Sequence, residues 1–600
     1  MQYRSRSRLG GAAPSLGLLV DWLEDRYQSA IVAGARVTAE SFGADLVVFA
    51  GGILGATDRW TAQRNRIFEL ASAENLDGLM VLGGVGNCLG ADALARYCER
   101  YAPLPMCSIA MALSGMPSVL VDNDSGMHQA ISHLVRVHQH RRIAFIRGPM
   151  SSVDAQRRYD VYRRVLEENG IPLDERLVVI GDFEAGSGGT AVRTLFDERG
   201  IPPGELDAIV ASNDSMALGA LEALTARRLR VPQDVALIGF DDVEDARVAQ
   251  PPFTTVRQPL EEQGRQAVRL VMSELRDGRR SADVLLRTEL IVRRSCGCHG
   301  AAPPRVRSEE VRFGFEASLV ERRQTILAEL TRASRGEFSA AGSGWEAKLV
   351  SAFTAELRNE GERAFGDAFE GLVERVLASG VDSSICHDLL SALRLQLLDC
   401  LGKEPAQKAR AEEMFQGARI ALANIVQRRL GRERAHLARW ARSLSRVGAS
   451  LVGAFDLPAL IETIAQRFPD LGIQSCFVIA FENTLVPSPS ARVVLAYDDS
   501  QPSIAVGTVF PTRRLMPPST GPAVSSQRPR SFVVSLIFFH EEVLGYMLIE
   551  MAESDLFAHE SLRDLVSSAL KGASLVERLT ETQRMLEASQ RQLAQKAGES

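Results

Sequence analysis

The strongest constraint on the fold is an alternation in the first 300 residues. Short runs that are apolar at nearly every position, at 16–20, 46–50, 78–82, 143–146, 208–211 and 235–240, are separated by longer segments. Those segments, among them 27–41, 125–137, 154–169 and 215–227, carry apolar residues at helical spacing. A strand apolar on both faces must be covered on both faces. Strands alternating with helices therefore predict a parallel sheet with helices on each side.

The character changes after Cys298. Residues 300–304, Gly-Ala-Ala-Pro-Pro, read as a linker. Residues 305–445 are rich in Ala, Leu, Glu and Arg, with helices expected at 311–335, 345–359, 364–378, 384–401 and 408–430. Residues 446–572 return to mixed structure: a helix at 457–468, strands at 475–481, 491–496, 531–539 and 543–551, and a closing helix from His559. This pattern predicts a small α+β domain. A terminal helix at 573–600 repeats Leu579, Leu586 and Leu593 every seven residues, but Thr582 and Ser589 interrupt the seam. It can be a coiled coil or a surface helix. At the other end, residues 1–13, with Arg4, Arg6 and Arg8 beside Gly10-Gly11, read as a flexible tail.

Composition removes several classes of function. The net charge of −6 and pI near 6.0 give no global attraction to nucleic acid. No apolar run approaches the ~18–20 residues of a membrane span, and the start lacks a signal peptide, so the chain is expected in the cytoplasm. Cys88, Cys98, Cys107, Cys386, Cys400 and Cys476 lie in or beside apolar stretches and read as reduced packing residues. Cys296-Gly297-Cys298-His299 is the only cluster, and no second Cys/His pair follows nearby. Neither a metal nor any other cofactor is therefore expected. No enzyme motif survives. Gly83-Gly-Val-Gly-Asn87 does not match a phosphate-binding loop, Ala185-Gly-Ser187-Gly-Gly189 lacks the first glycine of a nucleophile elbow, and His436 lacks the companions of a phospho-accepting helix.

Ligands of open parallel sheets bind beyond the carboxyl ends of the strands. Four of the apolar runs end in Asp21-Trp22, Arg147-Gly148-Pro149, Ser212-Asn213-Asp214 and Asp241-Asp242. Carboxylates, an amide and an arginine on one rim can fork hydrogen bonds to the hydroxyls of a sugar or to a nucleobase edge. Trp22 is placed to stack on an apolar ring face. Asp214 is equally suited to cap a helix beginning at Ser215.

Three blocks carry a family resemblance. They are Val121-Asp-Asn-Asp-Ser-Gly-Met-His-Gln-Ala130 continuing to Arg141-Arg-Ile-Ala-Phe-Ile-Arg-Gly-Pro149, Ala208-Ile-Val-Ala-Ser-Asn-Asp-Ser-Met-Ala-Leu-Gly219, and Val231-Pro-Gln-Asp-Val-Ala-Leu-Ile-Gly-Phe-Asp-Asp242 with Pro251-Pro-Phe-Thr-Thr-Val-Arg-Gln-Pro259. In order and spacing, residues 14–299 resemble the sensor domain of the lactose/galactose-repressor family. The resemblance implies a two-lobed, type I periplasmic-binding-protein-like domain that closes on a ligand, usually as a homodimer. Its ligand contacts carry over to Arg158, Asn213 and Asp241. Val161 and Gln139 stand where the family usually has glycine.

Repressors of that family begin with a helix-turn-helix headpiece. Here the first strand starts near Ser15, which leaves no room for one, so direct DNA binding is not expected. With Leu471-Gly-Ile-Gln-Ser-Cys-Phe-Val-Ile-Ala480, Val533-Val-Ser-Leu-Ile-Phe-Phe539 and Val543-Leu-Gly-Tyr-Met-Leu-Ile-Glu550, residues 446–572 resemble GAF-type sensor domains. The first reading is a sensor of a sugar- or nucleoside-like molecule that relays closure to the helical and GAF-like regions and on to a signalling or DNA-binding partner. The alternatives are a transcriptional regulator acting on DNA directly or through a partner, and the input half of a histidine kinase or diguanylate cyclase.

Overall fold

A computed structural model describes residues 13–298, 315–401, 404–453, 456–483, 486–498, 505–517, 528–551 and 559–598. Two compact units form: residues 1–300 together with 443–600, and residues 301–442.

The first unit starts as an α/β domain of two lobes. Its elements run β1 (Ser15–Val20), α1 (Arg26–Ser41), β2 (Asp45–Ala50), α2 (Arg59–Arg64), β3 (Gly78–Leu82), α3 (Ala91–Cys98), β4 (Met106–Ile109) and β5 (Ser118–Val121). Next come α4 (Asn123–Arg136), β6 (Ile143–Arg147), α5 (Val153–Glu168), β7 (Val178–Ile180), α6 (Ala185–Arg193), β8 (Ala208–Ala211), α7 (Asp214–Ala226), β9 (Ala236–Asp241), α8 (Glu244–Val248) and β10 (Thr254–Arg257). The domain ends with α9 (Leu260–Asp277), β11 (Val284–Leu286) and β12 (Glu289–Ile291). Strands β1 to β5 and β11 pair in parallel in the first lobe. Strands β6 to β10 pair in parallel in the second, with β12 antiparallel at its edge. The chain crosses between the sheets after β5, after β10 and between β11 and β12, so the expected sheet is two sheets facing one cleft.

Each lobe has a close helix crossing that only glycine permits. A Cβ on Gly34 of α1 would lie 1.9 Å from the Glu261 carbonyl oxygen of α9. A Cβ on Gly219 of α7 would lie 1.8 Å from the Ala185 carbonyl oxygen of α6. Both are far inside van der Waals contact, so the backbones touch because no side chain separates them.

The C-terminal part of this unit holds α15 (Leu457–Arg467), β13 (Ser475–Phe481), β14 (Ser490–Asp498), β15 (Val509–Pro511), β16 (Ser531–Phe539), β17 (Glu542–Glu550) and α16 (His559–Gly598). Strands β13 to β17 pair antiparallel, as an α+β region predicts. One feature differs from the expected chain of separate domains. β16 pairs in parallel with β2, so both regions share one eleven-stranded sheet, ordered β11-β5-β4-β3-β1-β2-β16-β17-β13-β14-β15. The Leu46 amide donates to the Arg530 carbonyl at 2.9 Å, and the Arg530 amide to Asp45 at 2.8 Å. A common core unites Phe49 and Phe68 with Phe477, Phe532 and Tyr546. In α16, Leu579 and Leu586 are exposed, and the Leu593 side chain lies outside the described residues.

The second unit has helices α10 (Phe315–Ala333), α11 (Trp345–Leu357), α12 (Ala364–Ala378) and α13 (Ser383–Cys400), and α14 begins in it at Pro405 and runs to Val452. Phe353, Phe365 and Phe415 pack as stacked and edge-on rings at 5.1–5.8 Å in its core. The linker at 300–304 and the start of the first helix, expected at Val311, lie outside the described residues.

Candidate ligand-binding site

The carboxyl ends of β1, β8 and β9 and the first turns of α1, α5 and α7 converge on a cleft between the lobes. Its volume, open solvent at the mouth included, is about 830 Å³. Two contacts cross the mouth: an Arg26–Glu244 ion pair at 3.0 Å, and a hydrogen bond from the Ser151 hydroxyl to the Asn87 carbonyl.

Arg158 on α5 is the central cation, and it is 4% exposed. Its Nε donates to Asn123 Oδ1 at 2.8 Å and its Nη1 to the Ser212 carbonyl at 2.6 Å. The guanidinium lies 3.7 Å from the ring centre of Phe240 and 4.0 Å from Asp241 Oδ1. The strand, the helix and the lobe crossing therefore fix its plane before any ligand arrives.

Around it stand carboxylates in excess. Asp21, at the end of β1, is 3% exposed, and burial pushes its carboxyl up to about 6. Gln28 Nε2 donates to it at 3.2 Å, while Gln28 Oε1 is buried with no partner among the described residues. A ligand hydroxyl would satisfy that acceptor. Gly84 leaves the space Asp21 occupies, since a Cβ there would lie 2.3 Å from its Oδ2. Asp241 accepts from Gln258 Nε2, and burial pushes its carboxyl up to about 7 against the pull of Arg158. Burial also raises Asp25, Asp154 and Glu184 at the same cleft.

The backbone is strained here as well. Phe183, Asp241 and Asp242 have φ of 74°, 122° and 60°, values that cost a non-glycine residue about 1–3 kcal/mol each. A Cβ on Gly148 would lie 2.4 Å from the Phe183 ring, so Gly148 is what lets that ring turn toward the cleft.

Of the sequence-predicted residues, Asp21, Arg158, Asn213 and Asp241 line the cleft. Trp22 does not. It turns away beneath Arg64, whose guanidinium sits 4.4 Å from its ring centre. Phe183, with Ile53 and Met111, supplies the apolar wall instead. Asn213, not Asp214, caps α7, accepting from the Met216 amide at 3.0 Å, and its Nδ2 donates to the Phe183 carbonyl at 2.8 Å. Asp214 is fully buried and ties β9 to β10 through the Val243 amide and the Thr255 hydroxyl. Asp242 lies beneath the cleft, paired with Arg257 at 2.6 Å and Arg293 at 2.7 Å. Arg147 bonds Gln156 at 2.6 Å and covers Tyr159.

Sequence reasoning missed Asp25, Gln28, Asp154 and Gln258. Asp25 and Asp154 sit at helix starts, where an acidic residue has an ordinary reason to be. Among the cysteines, Cys88 is exposed rather than packed. Cys296 and Cys298, which no second Cys/His pair follows nearby in sequence, meet one in space. His133 and His138, about 160 residues upstream, place their ring nitrogens beside both sulfurs, while His299 lies outside the described residues.

Part of the chain is similar to known proteins. Residues 131–296 match a periplasmic-binding-protein-like domain family. The HTH-type transcriptional regulator CelR of Thermobifida fusca is 34% identical over 275 residues, 45% of this chain and 76% of that protein. The ribose operon repressor of Escherichia coli K12 is 30% identical over 264 residues, 44% of this chain and 75% of that protein. A solved LacI family transcriptional regulator from Mycobacterium smegmatis is 28% identical, with a TM-score of 0.42, 47% of this chain and 98% of that one being covered. Such relatives are transcriptional regulators, and among the described residues no helix is long and apolar enough to cross a membrane. The chain belongs to the LacI family, with that family's periplasmic-binding-protein-like sensor as its first domain.

Proposed function

We propose that this protein is a small-molecule-sensing regulator that binds a polyhydroxylated ligand of the sugar or nucleoside class between its lobes. The observation that carries the reading is the cleft itself. One rigidly held arginine faces several desolvated carboxylates and an unpartnered buried amide oxygen, so it offers many acceptors to hydroxyl donors and a donor fork for a ring or carbonyl oxygen. Phe183 and Met111 offer apolar contact to a ring face. The relation to a ribose operon repressor supports the sugar class.

Closure is relayed to the C-terminal, GAF-like region. The shared sheet supports this route, as does a buried cluster beside the cleft. Arg64, stacked on Trp22, pairs with Glu560 of α16, and Glu560 pairs with Arg563 at 2.9 Å. The chain acts as a cytoplasmic homodimer and hands its signal to a partner. Calorimetry with a panel of mono- and disaccharides and nucleosides tests the site. Arg158→Ala and Asp241→Asn should each weaken binding about 10- to 100-fold, as losing a buried charge-assisted bond costs ~1.5–3 kcal/mol. Affinity unchanged in both variants, or no binding by any member of the panel, rules the cleft out.

A second reading, a regulator that acts on operator DNA directly or through a partner, is favoured by the relatives being HTH-type regulators and repressors. A gel shift at rising salt separates the two, since direct DNA contact weakens steeply with salt.

A further inference from the structure

The second lobe contains a cluster that the ligand cleft does not use. His133 lies in the last turn of α4, His138 two residues beyond that helix, and Cys296 and Cys298 follow β12. Their four ligand atoms all lie within 4.8 Å of one another.

Four of the six distances between these atoms match the edges of a tetrahedral coordination shell. The two His Nε2 atoms are 3.3 Å apart. His133 Nε2 is 3.4 Å from Cys296 Sγ and 3.5 Å from Cys298 Sγ, and His138 Nε2 is 3.4 Å from Cys298 Sγ. Zinc bound tetrahedrally, at ~2.3 Å to sulfur and ~2.05 Å to nitrogen, requires edges of about 3.3 Å between nitrogens and about 3.6 Å from nitrogen to sulfur.

The surroundings fit the same role. Thr254, fully buried, donates its hydroxyl to Cys296 Sγ at 3.0 Å, the outer-shell bond that steadies a thiolate ligand. Gly297, between the cysteines, has φ of 105°, and a Cβ there would crowd the His138 ring at 3.2 Å. Glycine therefore both makes the turn that aims two sulfurs at one point and leaves room for the imidazole. Cys296 is 1% exposed and packs into the core of this lobe.

We propose that His133, His138, Cys296 and Cys298 form a structural Cys2His2 site for zinc or a similar thiophilic divalent cation. Four protein ligands leave no open position, so the ion staples and does not catalyse. It pins the segment after β12, where the chain leaves the sensor, to the end of α4. The first residue of α4, Asn123, holds Arg158 in the cleft, so one helix joins the two sites.

Metal analysis of the full-length chain, purified under reducing conditions without chelator, tests the assignment. It should carry about one zinc per chain, and its cobalt-substituted form should show the visible bands of tetrahedral thiolate coordination. Cys298→Ser and His138→Ala should each lose most of the metal while circular dichroism shows the fold retained. His140→Ala removes a ring stacked on His138 at 5.5 Å but outside the cluster, and should keep the metal. A wild-type chain that neither retains zinc nor takes up cobalt overturns the proposal, as does metal content unchanged in both ligand variants. If Cys298→Ser misfolds, His138→Ala decides, because that side chain is half-buried at a helix end.

Discussion

At the scale of single residues, the cleft is built from groups that folding alone would not choose. Asp21 and Asp241 have carboxyls at about 6 and about 7 against an ordinary 3.8. Between those limits the folded chain holds protons that the unfolded chain has released, so these groups make stability fall as pH rises from about 4 to 7. Asp21→Asn should therefore stabilise the ligand-free protein at pH 8 by about 1–3 kcal/mol, with the difference vanishing near pH 4. Urea denaturation at the two pH values checks this, and an equal effect at both contradicts the buried-carboxylate account. Ligand hydroxyls donate best to ionised carboxylates, so affinity should climb between pH 5 and 8 with protons released on binding. Calorimetry in buffers of different ionisation enthalpy measures that release. The Asp21, Asn213 and Asp241 positions were legible because each follows a strand on the ligand side. Trp22 was misread because a strand end fixes where a backbone goes, whereas Arg64, some 40 residues later, decides where that ring packs.

At the scale of elements, helices and strands were read well and their contacts were not. The segment at 215–227 announces a helix, and the structure places α7 at Asp214–Ala226. Nothing local says that Gly219 meets the backbone of α6. Gly219→Val should cost ~1–3 kcal/mol, the usual penalty of forcing atoms into a filled contact, read as a lower denaturation midpoint. A Gly219→Ala variant of intermediate stability would support the same cause. The β2–β16 pairing is a second case. Both strands are apolar throughout, which predicts burial but not a partner 485 residues away, the Asp45–Arg530 separation. Val534→Pro removes an amide from β16 and should speed hydrogen exchange along β2 and β16 while leaving the second lobe's six-stranded sheet protected. Unchanged exchange in β2 would mean the two regions hold together without that ladder.

At the scale of the whole molecule, the first domain meets the C-terminal region at a buried charge cluster. Arg64 is 3% exposed and Glu560 7%. Removing one partner of such a pair strands the other, at a cost of about 3–5 kcal/mol. Glu560→Gln should thus lower stability, leave ligand affinity largely intact and abolish any ligand-dependent change in hydrogen exchange along α16. A ligand response in α16 that survives the change would remove this cluster from the relay.

The sequence by itself determined the alternation of strand and helix in the first domain, announced helices and strands further along the chain, and singled out Asp21, Arg158, Asn213 and Asp241, which line the cleft. The elements follow from local periodicity, Asp21, Asn213 and Asp241 from the rule that strand ends face ligands, and Arg158 from the family resemblance. Only the tertiary structure decided the shared sheet, the turn of Trp22 away from the cleft and the meeting of His133 and His138 with Cys296 and Cys298. Each joins residues tens to hundreds of positions apart, and no periodicity records which apolar edge or which ring nitrogen the folded chain will bring beside another.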